Sequence, residues 1–477
     1  MVRTAADRRV WALPASLLAI AALVGGLAGA DPRLGVAGAM GVAFVTIVMA
    51  DLSVGLCLYA LFAFLNIIPN AGASFLSFDK VAGGLLALSW MATVVNRKKI
   101  RTAFVAAHPQ FFAVLCFFLV WVTLSITWSE FPSKAIEPVS RYVLNAFLFL
   151  IVFTAVRNRQ HVRWLVGAFV ASSTLSGAYG LVVPPAPGAE DRLAGTIGEP
   201  NQLAAVLVAG VVLAAALAVV EWKQPLLRIG LLGAAGICLL ATFLTLSRAG
   251  LIALAIAMIA AIAVAGRWRG PVFAFAAVAL ASLIGFFAVI ATPGQQARVT
   301  EFGGGSGRSD IWTIGWRMVQ AHPVHGIGVG QFPLSSVHYL LAPGAIQRSD
   351  YIISTPKVAH NIYLQILAET GVVGLIPFLV IIGFSLRCAL RAARKFQQQG
   401  DMHMELMSRA VLVGLVAILV ADFFASEQFS KQLWLLLGLG PALLAIAGRT
   451  EGEAADEAAA LRSPLAPARL EPAAASP

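Results

Sequence analysis

Apolar runs of roughly membrane-spanning length recur along almost the whole chain, punctuated by short polar clusters. A helix rises about 1.5 Å per residue and needs about 20 residues to cross the hydrocarbon core. Runs near that length fall at 11–30, 34–50, 52–68, 80–95, 110–127, 139–156 and 163–183. Seven more fall at 201–220, 229–246, 249–266, 270–292, 361–386, 409–425 and 432–448. In lipid every backbone polar group must be satisfied internally, which leaves helices as the reading of such runs. The pattern predicts an all-α polytopic membrane protein with about 14 transmembrane helices, within a range of about 12–14. The first run, behind Arg3, Arg8 and Arg9, has the outline of a secretory signal. Another span follows at once and no convincing cleavage site intervenes, so it reads as a retained helix.

Charge orients the array. With the N-terminus inside, Arg97, Lys98, Lys99, Arg101, Arg157, Arg159, Arg163, Lys223, Arg228, Arg267 and Arg269 all fall on the cytoplasmic side. Arg387, Arg391, Arg394, Lys395 and Arg409 follow them there, whereas the opposite loops carry only scattered cations. An even number of helices preserves this bias and puts both termini in the cytoplasm. Five segments result: N-terminal transmembrane helices over 1–183, central helices with external arginine loops over 184–292, and an external loop leading into a His-bearing helix over 293–371. C-terminal transmembrane helices over 372–448 and an Ala/Pro-rich tail over 449–477, which reads as disordered and cytoplasmic, complete the chain.

Composition agrees with the pattern and removes rival classes. Hydrophobic residues make up 59% of the 477 and charged ones only 12%, with a mean hydropathy of +0.84. A soluble domain of this length could not hide so much apolar sequence. The net charge of +11 sits in short clusters between apolar runs rather than along one face, which argues against a nucleic-acid partner. Cys57, Cys116, Cys238 and Cys388 fall in or beside apolar segments without metal-ligand spacing, as buried thiols do.

Four features on the external side carry candidate chemistry. The long segment 293–359, which precedes the twelfth helix, holds Gly303-Gly304-Gly305-Ser306-Gly307 and then Arg308-Ser309-Asp310-Ile311-Trp312. A loop of this length is often functional. The glycine run is no phosphate loop, because no Lys-Ser/Thr follows it. Loop 184–200 ends in Glu190-Asp191-Arg192-Leu193-Ala194-Gly195 and Gly198-Glu199-Pro200-Asn201. Ser247-Arg248-Ala249-Gly250 forms a tight turn that holds Arg248 at the membrane boundary. Thr355 as cap and Pro356 at the first helical position predict a helix start, with His360 in its first turns, Tyr363, Leu364 and Leu367 on its face, and Gly371 ending or bending it.

Each feature also has a bland reading. Arg192 is a solvated loop charge or an anion contact, Arg248 an interfacial anchor or a phosphate clamp. His360 is a satisfied helix-start residue or a functional imidazole. His322, His325 and His338 have no zinc-like spacing with it, and no Asp-x-Asp pair offers a divalent-metal glycosyl transfer site.

The combination resembles a family. The run from His360 through Asn361, Leu364, Leu367 and Glu369 to Gly371 is similar to the HN-x-x-L-x-x-L-x-E-x-G signature of the O-antigen ligase and polymerase superfamily. Gly307-Arg308, Trp312 and His322-Pro323 through Gly326-Ile327-Gly328, Gly330 and Phe332 resemble its "GR…W…HP…GIGxGxF" pattern. Ser247-Arg248-Ala249-Gly250, and Arg192 with Pro200-Asn201, resemble two further motifs. The likeness runs from about 185 to 445, and residues before it match only in being membrane helices.

The resemblance implies a bacterial inner-membrane glycosyltransferase, independent of metal and cofactor, with a periplasmic active site. It would move a glycan from a polyprenyl (undecaprenyl) diphosphate carrier to lipid A–core, as ligases do, or to another repeat unit, as polymerases do. Carried over by motif, His360 is the catalytic group and Arg192 and Arg248 hold the donor diphosphate, with Arg308, Asn361 and Glu369 in support. Besides membrane lipids, the implied partners are that carrier-linked glycan and the lipid A–core or growing-glycan acceptor. The rivals from other classes are a lipid-linked glycan flippase and a non-catalytic assembly scaffold. A transporter usually carries ionisable groups at mid-membrane, and here only Asp422 approaches that, near a helix end.

Overall fold

A computed structural model describes residues 21–22, 24–64, 78–96, 104–183, 192–300, 307–340 and 357–449. The first half of the 11–30 run, the Arg97–Arg101 cluster, Glu190 and Asp191, Gly303 to Ser306, Thr355 and Pro356, and the tail beyond 449 lie outside them.

The regular elements among the described residues are helices, and the long apolar ones fall where the apolar runs predict them. In chain order they are α1 (Pro32–Ala50), α2 (Leu52–Phe62), α3 (Phe78–Asn96), α4 (Pro109–Leu124), α5 (Pro132–Ala155), α6 (Arg159–Val182), α7 (Pro200–Val220) and α8 (Pro225–Leu244). There follow α9 (Arg248–Val264), α10 (Arg269–Gly285), α11 (Pro293–Thr300), α12 (Arg308–Ala321), α13 (Phe332–Ser335), α14 (Ile362–Gln398), α15 (Met402–Ala421) and α16 (Lys431–Gly448). Among the described residues nine helices are long and apolar enough to cross a membrane, and four shorter apolar helices stand beside them. The chain is a polytopic membrane protein. Of the predicted span 52–68, α2 covers 11 residues, Leu52–Phe62, about 16 Å of rise, and residues 65–68 lie outside the described ones.

Local chemistry explains the boundaries. Proline opens α4, α5, α7 and α8, where a missing N–H costs nothing and φ is already helical. Side chains of Asp51, Asn158, Glu199, Ser247, Asn361, Asp401 and Ser430 cap helix starts, that of α7 included, by accepting from backbone N–H groups within the first turn. The Ala- and Val-rich α7 is buried almost throughout and packs against α6, α8, α9 and α15. Small side chains permit that close approach. In contrast, α10 is largely exposed on the bundle surface, as a lipid-facing helix is. Among the thiols Cys238 and Cys388 are buried, but Cys116 faces outward from α4 rather than into the core.

The bundle has two chemically distinct ends. At one, Arg159 pairs with Asp401 at 2.7 Å, Arg163 with Glu221 at 3.3 Å and Arg267 with Glu405 at 3.0 Å. Arg409 also reaches Glu405 there, at 2.8 Å, and donates to the Val264 carbonyl. Arg449 donates to the Arg157 carbonyl nearby. At the other end lie the 192–201 segment, the 245–248 turn, α11 to α13 and the start of α14. Loops that the charge pattern assigns to one side are thus gathered at one end.

Between α10 and α14 the chain is not a simple loop. Ile311, Ile314 and Met318 of α12 pack with Ile327, Phe332, Ala359 and Ala368 into a small apolar core of their own. Cysteines introduced at Val337, which is exposed at this end, and at Gln398, at the other, test the orientation in a background lacking the native four. A membrane-impermeant thiol reagent should label Val337→Cys but not Gln398→Cys in intact spheroplasts. Labelling of the second alone would invert the assignment.

Candidate functional site

The motif-bearing segment is held together by a break in α14. Gly371 has φ +65° and ψ −172°, a conformation essentially restricted to glycine, so the helix divides into 362–370 and 372–398. The sequence placed an end or bend at this residue, and the bend is there. Around it the 323–328 strip supplies hydrogen bonds. Ile327 N donates to Ala368 O and Gly328 N to Glu369 O, both at 2.9 Å, while Val372 N donates to Pro323 O at 3.0 Å. Trp121 Nε1 donates to Thr370 O at 2.9 Å. Gly326, also at positive φ, lies so close that a Cβ would strike the Glu369 backbone. The glycines of the GIGxGxF run are therefore packing residues.

Glu369 belongs to the same joint. It is fully buried, and its Oε1 accepts from Gln365 Nε2 at 3.1 Å and from Phe332 N at 3.4 Å. Its Oε2 has no partner. This geometry ties the helix to α13 and keeps the carboxylate out of contact with the surface.

The helix begins later than the sequence predicts. Residues 357–360 are not helical, and Asn361 is the cap, its Oδ1 accepting from Leu364 N at 2.9 Å. His360 therefore precedes the cap instead of lying in the first turn on the face of Tyr363, Leu364 and Leu367. It takes φ +49°, a left-handed conformation that costs a non-glycine residue about 1–2 kcal/mol. Ala359 explains how it is held: its N–H donates to Gln365 Oε1 at 3.2 Å and its carbonyl accepts from Trp312 Nε1 at 3.0 Å. A pinned alanine on one side and a capping asparagine on the other leave the histidine turned out of the helix and half-buried.

The arginines are positioned by a second network. Arg192 Nε donates to the Thr245 carbonyl and its Nη2 to Asn201 Oδ1, each at 2.9 Å. Asn201 Oδ1 also accepts from Ser247 Oγ at 2.9 Å, and Asn201 Nδ2 donates to Glu199 Oε1 at 2.8 Å. One asparagine thus links Arg192, the turn carrying Arg248, and the carboxylate capping α7. Leu246 at φ +49° makes the sharp turn that presents Ser247 and Arg248. The exposed Arg248 aims both Nε and Nη2 at the Arg298 carbonyl, at 3.0 and 2.6 Å. That is the forked presentation a phosphate oxygen would accept.

Electrostatics join the two networks. Burial lowers the His360 pKa from its ordinary value, the Arg308 charge lowers it further, Glu199 opposes and Lys357 adds a smaller lowering. Arg308 and Glu199 therefore lie within electrostatic reach of the imidazole, which is neutral at pH 7. Glu427, in the turn between α15 and α16, is a residue the sequence reading missed. Desolvation and then Glu199 raise its pKa to about 8 against the pull of Arg141, so it holds its proton near neutrality. No motif marks it. Glu199 was more legible, since an acid before a proline at a helix start is a capping signal.

Among the described residues no three His, Cys, Asp or Glu side chains gather as metal ligands do. His322 and His325 touch each other, with ring centroids 5.3 Å apart, and His338 Nδ1 lies 3.4 Å from Glu130. Neither is joined to His360 by these contacts.

Fold and site together define a polytopic membrane protein that concentrates arginines and a neutral histidine at one end of its bundle. Residues 233–379, about a third of the chain, match the family model described as O-antigen ligase. The match contains Arg248, Arg308 and His360 but stops short of Arg192, Asn201 and Glu427. No curated protein matches the chain.

Titration of His360 by NMR in selectively labelled protein checks the electrostatics. Its midpoint should fall below the ordinary value of about 6.5. Glu199→Gln removes a charge that favours imidazolium and should lower it further, and Arg308→Gln should raise it. Shifts of the opposite sign would separate these groups from His360.

Proposed function

We propose that this chain transfers a glycan from a polyprenyl diphosphate carrier to an acceptor hydroxyl on the face away from the cytoplasm, in the manner of an O-antigen ligase acting on lipid A–core. The observation that carries the reading is the placement of Arg192, the Arg248 turn and His360 at one end of the bundle, with Glu199 in electrostatic reach of the imidazole. The matched family supports a reaction of the ligase or polymerase type.

Chemistry follows from the parts. The acceptor oxygen attacks the anomeric carbon, the bond from that carbon to the diphosphate breaks, and the hydroxyl proton passes to His360. A neutral, desolvated imidazole suits that role. The departing diphosphate gains negative charge, which planar guanidinium forks hold through paired, always-ionised contacts. Preorganised donors of this kind act most strongly where water is sparse, and removing one typically costs about 10²–10³ in rate. Held this way, the leaving group requires neither a divalent metal nor a protonating acid.

Purified full-length protein with carrier-linked glycan and lipid A–core tests the proposal. Product should form in detergent, and excess chelator should leave the rate unchanged; a loss restored by magnesium or manganese would refute metal independence. His360→Ala should lose about 10²–10⁴-fold in turnover while binding carrier lipid near the wild-type level. Arg248→Ala should weaken donor binding as well as rate, and Arg248→Lys should recover only part of both. Near-normal turnover of either alanine variant would return that residue to its structural reading. Extension of the carrier-linked glycan in place of transfer to lipid A–core would make the chain a polymerase.

A further inference from the structure

Arg248 is oriented by a short helix that no motif marks. Its Nε and Nη2 both donate to the Arg298 carbonyl, at 3.0 and 2.6 Å, and that carbonyl belongs to α11. None of the α11 residues is buried, so polar contacts rather than a core set its place. Thr292 and Gln295 form a capping box at its start. Thr292 N donates to Gln295 Oε1 at 3.0 Å, and Gln295 N to Thr292 Oγ1 at 3.3 Å. Gln296 ties the helix to the chain before it, its Nε2 donating to Phe287 O at 2.7 Å and to Ala291 O at 3.4 Å.

That preceding chain is anchored beneath Arg248. A π-helical turn, Phe286–Ile290, follows α10, and carbonyls at a helix end lack intrahelical partners. Gln296 supplies one. Phe286 is buried in a cluster with Phe243, Leu254 and Ala257, and the last two lie on α9, the helix that Arg248 opens. The contacts therefore close a ring, from Arg248 through the Arg298 carbonyl, α11, Gln296 and the 286–287 backbone to α9 again. An exposed arginine samples many rotamers, and fixing it only when an anion arrives costs affinity. A two-pronged bond to a neutral carbonyl fixes the guanidinium plane beforehand. We propose that Gln296 is a positioning residue for the donor diphosphate, holding α11 so that the Arg298 carbonyl presets the Arg248 guanidinium. The inference rests on the donor role proposed for Arg248, and its test separates the two.

Binding of geranyl diphosphate to full-length protein in detergent, measured by titration calorimetry, tests it through a double-mutant cycle. Gln296→Met keeps side-chain length and helix propensity but removes the donor. It should raise Kd about two- to tenfold, the range of one neutral hydrogen bond, with the thermal midpoint near wild type. Gln296→Ala should do the same. In an Arg248→Ala background either change should have no further effect, because the group it positions is gone. Where Arg248→Ala fails to fold, Arg248→Lys takes its place in the cycle, since an ammonium lacks the Nε–Nη2 edge. A Gln296→Met effect that adds in full to that of Arg248→Ala would overturn the inference. So would wild-type affinity in Gln296→Met while Arg248→Ala binds weakly. Tighter binding in Gln296→Met would make α11 a competitor for the arginine, which also contradicts a positioning role. Unchanged affinity in Arg248→Ala, or no binding by the wild-type protein, would remove the donor role of Arg248 and this inference with it.

Discussion

A helix that breaks must find partners for the backbone groups it releases, and at Gly371 those partners come from the 323–328 strip. The candidate site depends on this junction. Carbonyls of Ala368 and Glu369 and the N–H of Val372 are satisfied by Ile327, Gly328 and Pro323. Buried Glu369 secures the same joint to Phe332. Because the strip is fixed against α14, α12 is fixed as well, and Trp312 can hold the Ala359 carbonyl. The left-handed turn at His360 is the consequence of that chain of contacts. Glycine at 326 and 371 is required by space and by dihedral angle, which gives a physical reason for the spacing of the motif.

The second constraint is the separation of charge. At the basic end Arg159, Arg163 and Arg267 pair with Asp401, Glu221 and Glu405, whereas at the other end Arg192 and Arg248 are directed by carbonyls and by Asn201. The difference has chemical consequences. A guanidinium bonded to a carbonyl keeps its full charge available to an arriving anion, while one paired with a carboxylate is already compensated. Arg192 and Arg248 donate to the carbonyls of Thr245 and Arg298.

Much of the fold was legible in the sequence because membrane spans are specified by length and hydropathy. The bend at Gly371 was legible too, since glycine followed an apolar helical run. The helix start was not. Thr355 and Pro356 form a conventional start signal, but they lie outside the described residues, and Asn361 provides the cap that α14 uses. Tertiary contacts at Ala359 decide the position of His360, and no local pattern encodes them. The linking role of Asn201 and the proximity of Glu427 to Glu199 were likewise illegible. Both arise from segments more than forty residues apart that meet only in the bundle. Glu369 shows the converse: a motif residue whose surroundings are those of a packing anchor.

The central claim is that Arg192, Arg248 and His360 serve one donor at one end of the molecule. A cryo-EM structure of the full-length protein with a non-transferable phosphonate analogue of the carrier-linked donor addresses it most directly. The account predicts diphosphate density in contact with Arg192 and Arg248, with the anomeric carbon facing the His360 imidazole. Diphosphate density at the basic end, or at the arginines with the sugar directed away from His360, would contradict it.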